Sequence, residues 1–140
     1  MRVVLDTNVV ISALLWYGPP HDILKLIEKK MLTLCMTPAL IEELRDVLRR
    51  PSFSFRIEER RTSSEELIAG VIDLATLHPN KKIPPVVKED PDDDQVLACA
   101  LASGAEHIIT GDSHLLKLER WFHILILSPR QFLNHFPTIH

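Results

Sequence analysis

Four acidic residues, Asp6, Glu43, Asp94 and Asp112, stand at positions from which their carboxylates can converge. Asp6 closes the apolar run Val3-Val4-Leu5, and Asp112 lies two positions past the apolar run 107–110. In an open parallel sheet, sites form at the carboxyl ends of the strands, so both side chains are expected at one edge. Asp94 opens a small-residue helix that packs back on the sheet toward that edge, and Glu43 immediately precedes the core position Leu44. Carboxylates that meet at one point repel each other unless a cation or shifted pKa values offset the charge. Hard divalent ions take oxygen ligands, and Mg2+ commonly uses one or two carboxylates together with water and substrate phosphate. A site of that kind activates water and stabilises the charge of an in-line phosphoryl displacement.

Each acid also has a purely local reading. Asp6 fits an Asx turn or a helix cap, and Asp112, in Thr110-Gly111-Asp112-Ser113, fits another cap. Glu43 fits a solvated helix face, with Glu42 a rival beside it. Asp92 and Asp93 are expected to complement a helix dipole. What favours the metal reading is the order of elements that must carry the four.

Residues 3–5 form a short β-branched run suited to a strand buried on both faces. A helix is expected over 9–15, broken by Tyr17-Gly18-Pro19-Pro20, and a second, amphipathic one carries Ile23, Leu24, Leu26 and Ile27 and ends near Lys30. A strand follows at 32–36. Thr37-Pro38 then supplies an N-cap and a proline at the first helical position, and Pro51 stops that helix. Ser63-Ser64-Glu65-Glu66 starts another helix that continues to Ala75. Residues 81–87 are proline-broken and give at best a short strand. The acidic run 88–94 leads into a helix over 96–102, capped by Gly104. A strand at 107–110, a short helix at 113–118, a strand at 124–127 and a last helix opened by Ser128-Pro129 complete the chain. Strands and helices alternate and Asn-Gly hairpin signals are absent. The expectation is therefore an α/β fold, a three-layer sandwich with a central, mainly parallel sheet flanked by helices, in a single domain over residues 1–140.

Composition narrows the function classes. The 140 residues are 46% hydrophobic and 25% charged, the balance of an ordinary globular protein, and no apolar run approaches the roughly 18 residues of a membrane span. Met1 to Asp6 is read as a first strand rather than a signal peptide. Cys35 and Cys99 are expected as buried free thiols in a reducing cytoplasm. The seven histidines lack the spacing of a zinc site. The acidic run lacks the glycine and final glutamate of an EF-hand loop, and phosphate-cradling glycine loops and nucleophile elbows are absent. Net charge is −3, yet Arg45, Arg49, Arg50, Arg56, Arg60 and Arg61 crowd one stretch. Two readings of them stay open: a solvated face paired to nearby acids, or a surface for a polyanion backbone.

Val4-Leu5-Asp6-Thr7-Asn8-Val9, Pro38-Ala39-Leu40-Ile41-Glu42-Glu43-Leu44, Asp92-Asp93-Asp94-Gln95-Val96-Leu97-Ala98 and Ile109-Thr110-Gly111-Asp112 together resemble the PIN-domain nucleases over essentially the whole chain. The likeness is nearest to single-domain prokaryotic VapC-like toxin components of toxin–antitoxin pairs. The resemblance implies a PIN-like fold and four acidic ligands at Asp6, Glu43, Asp94 and Asp112. Asn8 and the Thr110 hydroxyl would support them. It further implies Mg2+ or Mn2+, hydrolysis of single-stranded RNA in the cytoplasm, an antitoxin partner and a homodimer. Arg45, Arg49 and Arg50 are the expected RNA contacts. The segment 51–66 departs from the minimal pattern and reads as an RNA- or partner-facing insertion, and Asp92 or Asp93 as an auxiliary ligand. Two other readings are an inactive PIN-like module that binds RNA or protein, and a small metal-dependent phosphohydrolase. Asn8 stands where haloacid-dehalogenase-type phosphatases carry a second aspartate, which counts against the latter.

Overall fold

The computed structural model describes residues 1–87 and 91–136, and of Asp92 the backbone alone. The run 88–90, the Asp92 side chain and His140 therefore lie outside the described residues. In chain order the elements are β1 (Arg2–Leu5), α1 (Thr7–Leu15), α2 (Pro19–Glu28), β2 (Thr33–Met36), α3 (Pro38–Leu48), α4 (Pro51–Glu59) and α5 (Ser64–Leu74). They continue with β3 (Thr76–Leu77), α6 (Pro91–Ser103), β4 (His107–Ile109), α7 (Ser113–Leu116), β5 (Arg120–Trp121), β6 (Ile124–Leu127) and α8 (Pro129–His135). Among the described residues six strands form one sheet in the order β3-β2-β1-β4-β6-β5. All neighbouring pairs are parallel except β5 with β6.

The strand order has a direct consequence for the site. From β1 the chain builds outward to β2 and β3, then crosses back to β4 and builds the other way. β1 and β4 are thus the point where the winding reverses, and right-handed crossovers put helices on both faces of the sheet. α6 packs across β1, β2 and β4 and also meets α3, while α1 meets α2 and α3, and α3 meets α5. Val3, Val4, Ile108 and Ile109 at the centre have no exposed surface, as expected for parallel strands covered on both sides. α6 is buried continuously from Val96 to Ala100. Its small residues let it lie close against the sheet, which gives it an almost unpatterned apolar surface instead of a stripe.

The local signals act as their chemistry dictates. The Thr37 hydroxyl accepts the Leu40 amide at 3.4 Å to open α3. Ser63 accepts the Glu66 amide to open α5. At the start of α8, Ser128 and Gln131 form a reciprocal capping box. Gly104, at φ +68°, takes the left-handed turn that follows α6. Cys35 and Cys99 are buried and free, and burial pushes the Cys99 thiol up to about 12.

Several expectations need correction. Residues 81–87 form no strand. The third parallel partner is Thr76–Leu77 instead, paired with Cys35 and Met36. A hairpin is present without Asn-Gly: Trp121 pairs with Ile124, and Phe122 takes φ +54°, an unusual conformation for a bulky side chain. The segment 51–66 is built into the fold as α4 and the turn after it, with Ile57 buried. Within α4, Arg56 donates from Nε to the Leu15 carbonyl at the end of α1 (2.7 Å) and lies over the Trp16 ring. Pro51, which stops α3, is also the first residue of α4. Trp16 is exposed, and Tyr17 and Phe122 retain 78% and 69% of their surface, while Trp121 is partly buried against the core. Arg60 and His21 flank the Tyr17 ring.

Candidate metal centre at the sheet switch point

Asp6 continues β1 beyond its last strand residue, since its amide still donates to the Ile109 carbonyl at 3.0 Å. Its own carbonyl accepts the Val9 and Val10 amides and starts α1. The carboxylate is released from capping duty and sits in the crevice between β1 and β4, only 8% exposed. Thr110, fully buried at the end of β4, donates from its hydroxyl to Asp6 Oδ2 at 2.7 Å. The same hydroxyl accepts the Asp112 amide at 2.9 Å. One oxygen thereby ties together two acids that are 106 positions apart in the chain.

Burial raises the Asp6 pKa above its ordinary value; the Thr110 hydrogen bond pulls it back, the Asp112 charge adds to the rise, and the Thr7 and Asn8 amides lower it. The Asn8 side chain is exposed.

Asp112 caps α7: Oδ1 accepts the His114 amide at 2.7 Å and the Leu115 amide at 3.4 Å. Both the capping reading of Asp112 and its place in the crevice therefore hold in geometry. Glu43 reaches the start of α1, where Thr7 donates to Oε2 at 2.8 Å. Its rival Glu42 turns outward and pairs with Arg45 at 2.6 Å.

The third acid is placed differently from the sequence expectation. Asp94 faces the preceding segment and accepts the Val86 amide (3.1 and 3.3 Å) and the Val87 amide (2.9 Å). Asp93, one position earlier on α6 and 4% exposed, offers a ligand oxygen within 4.8 Å of ligand atoms of Asp112 and His114. Neighbouring residues on a helix point about 100° apart, so adjacent aspartates face different surroundings. His114 joins the cluster unforeseen; the signal that would have found it is its place two positions after Asp112, on the short helix that Asp112 caps.

The expected arginine contacts are divided. Arg45 and Arg49 are ion-paired to Glu42 and Glu65, while Arg50 is exposed and has no ion pair among the described residues. Arg56 pairs with Glu59 at 3.5 Å. Pairing to nearby acids thus describes Arg45, Arg49 and Arg56, through Glu42, Glu65 and Glu59, with Arg56 also bound to the end of α1.

The Thr110 junction permits a sharp test. Thr110→Val keeps the shape and removes the hydroxyl, leaving the partly buried Asp112 amide without its acceptor and Asp6 without the Thr110 donor. A stability loss of about 1–3 kcal/mol is expected by chemical denaturation. A roughly 10–100-fold loss of metal affinity or activity should accompany it, as for other groups that orient a ligand. A variant indistinguishable from wild type in both would show that the hydroxyl orients nothing.

A doubly covered, mainly parallel sheet with buried carboxylates at its switch point defines an α/β protein with an acidic crevice. A family model described as PIN domain matches residues 2–114. The chain belongs to the PIN domain family. An uncharacterised protein of Methanocaldococcus jannaschii is 28% identical over 145 residues, covering 97% of this chain and 92% of the relative. The crystal structure of VapBC2 from Rickettsia felis bound to a DNA fragment from their promoter superposes with a TM-score of 0.59 at 15% identity, covering 90% of this chain and 97% of that one. This likeness is one of fold. Among the described residues no helix is long and apolar enough to cross a membrane.

Proposed function

We propose that the chain, as one PIN-like unit over residues 1–140, is a metal-dependent endoribonuclease acting on single-stranded RNA in the cytoplasm, the toxin of a toxin–antitoxin pair. The observation that supports this most is the acidic crevice, where Asp93, Asp112 and His114 bring ligand atoms within 4.8 Å of one another and Asp6 is joined to Asp112 through the Thr110 hydroxyl. The residues fit a hard divalent ion, Mg2+ or Mn2+: the donors are mostly carboxylate oxygens, and the burial of the Asp6 charge, to which the Asp112 charge adds, is the kind of cost a cation relieves.

Asp6, Asp93 and Asp112 would hold the ion, with Glu43 at the rim beside Thr7. Asp94, the third acid of the sequence reading, anchors the segment 83–87 in this assignment. A divalent ion held there supplies charge to the phosphodiester oxygens and lowers the pKa of water. The residues of the chain supply the rest. Thr110 fixes one oxygen of Asp6, so the other is directed without a rotational search. The α7 amides hold Asp112 in one rotamer. Burial of Asp93 and Asp6 excludes bulk water and strengthens every charge interaction in the crevice.

The partner in the R. felis structure supports an antitoxin that would cover this edge, and a homodimer is part of the same reading. The inactive-module alternative relied on the arginine segment, and the ion pairs of Arg45 and Arg49 weaken it.

The test is cleavage of a mixed-sequence single-stranded RNA with Mg2+, with Mn2+ and with EDTA, with Asp6→Ala beside the wild type. Cleavage that requires both the metal and Asp6 is the expected result. Activity on a nucleotide monophosphate but on no oligonucleotide would overturn it in favour of a phosphohydrolase, and metal binding without any cleavage in favour of a binding module.

A further inference from the structure

Carboxylate sites for Mg2+ are commonly all-oxygen, because this small, hard ion takes oxygen ligands at near-ideal octahedral geometry and gives up its waters reluctantly. The crevice described above departs from that pattern in one atom. A ring nitrogen of His114 lies with the ligand oxygens of Asp93 and Asp112 in a group whose members are all within 4.8 Å of one another. His114 is carried there by α7, whose first turn is fixed by Asp112 itself, so the ring has a defined place at the rim. Its Nδ1 is 3.6 Å from Asp112 Oδ1, an atom already accepting two backbone amides. The ring thus stands beside an oxygen committed to helix capping, and the cluster joins one nitrogen donor to two carboxylates.

We infer that His114 is a nitrogen ligand of the divalent ion and makes this centre selective for a transition-metal ion over Mg2+. The inference rests on the metal reading proposed above and adds the choice of ion to it. Imidazole adds much to the affinity of a site for first-row transition ions, increasingly from Mn2+ toward Co2+ and beyond, and little for Mg2+. The competing account is that His114 only pairs with Asp112 and faces solvent.

The experiment is ion binding to the full chain, independent of catalysis. Calorimetric titrations with Mn2+, Co2+ and Mg2+ would be run on wild type, His114→Ala and Asp112→Asn, and electron spin echo spectra would be recorded on the Mn2+ complexes. Wild type is expected to bind Mn2+ and Co2+ more tightly than Mg2+ and to show nitrogen coupling to bound Mn2+. His114→Ala is expected to lose that coupling. It should bind Mn2+ and Co2+ at least roughly tenfold more weakly, the smaller end of what even an outer-shell partner costs, with Mg2+ binding changed by less than about twofold, as little as oxygen-seeking Mg2+ gains from a nitrogen. Asp112→Asn should weaken all three ions.

Absence of nitrogen coupling in wild type with Mn2+ bound, or an equal effect of His114→Ala on all three ions, would overturn the inference and leave the metal reading standing. Failure of wild type to bind any of the ions would overturn both. The ring is partly exposed and its backbone amide, not its side chain, completes the α7 cap, so His114→Ala is expected to fold, which its melting curve verifies.

Discussion

Asp6→Asn is expected to lose RNA cleavage by more than the roughly 10–100-fold that removal of a group supporting a metal ligand costs, and to gain thermal stability while doing so. The substitution keeps the shape of the side chain and an acceptor for the Thr110 hydroxyl. What it removes is a negative charge buried in the crevice and repelled by Asp112. The pH dependence follows from the sign of the shift. The folded-state pKa lies above the ordinary value of 3.8, so folding binds the proton. The contribution of Asp6 to stability is complete below 3.8 and is lost as pH rises through the raised value. In EDTA near pH 7 the asparagine variant should therefore melt at a higher temperature than wild type, and the gap should close below pH 3.8. Scanning calorimetry across that range reads it directly. A variant that melts lower at neutral pH would mean that the Asp6 charge holds the fold together, and the crevice would lose its defining member.

The adjacent pair Asp93 and Asp94 provides the second large effect. Asp93→Asn should lose cleavage as severely as Asp6→Asn, because its oxygen belongs to the group with Asp112 and His114. Asp94→Asn should stay within about tenfold of wild-type activity, since the crevice keeps all its acids. Its cost falls elsewhere: the Val86 and Val87 amides exchange a charged acceptor for a neutral one, and charged hydrogen bonds are roughly twice as strong. A stability loss of about 1–2 kcal/mol and faster proteolysis within 81–87 are expected. Limited digestion and cleavage rates on the same two proteins separate the roles. An inactive Asp94→Asn beside an active Asp93→Asn would return the third position to Asp94.

The two outer acids were legible because each follows a strand, and a strand end is marked sharply by the switch from β-branched residues to Asp-Thr-Asn or Gly-Asp-Ser. Thr110 was legible for the same reason. The middle acid was not, because three aspartates in succession sweep most of a helical turn and the facing one depends on where α6 begins. Helix starts are uncertain by one or two residues even in structures, and the uniformly small residues of α6 supply no apolar stripe to set the phase. β3 and β5, of two residues each, were below the length at which periodicity exists. Their pairing is decided by what lies beside them: β2 for the first, β6 for the second. In the 51–66 segment, single anchors such as Ile57 and the backbone-bound Arg56 were not legible beneath its charges.

The hydrogen bond from Thr110 to Asp6 joins residues 104 positions apart, and this sets a timetable for a chain emerging from a ribosome. At 5–20 residues per second, Thr110 is added about 5–20 s after Asp6. Through that interval the first carboxylate waits without the strand, the hydroxyl or the second acid that define its surroundings. If the chain cleaves RNA as proposed, this order would keep it harmless to the message being read until both β1 and β4 have been made.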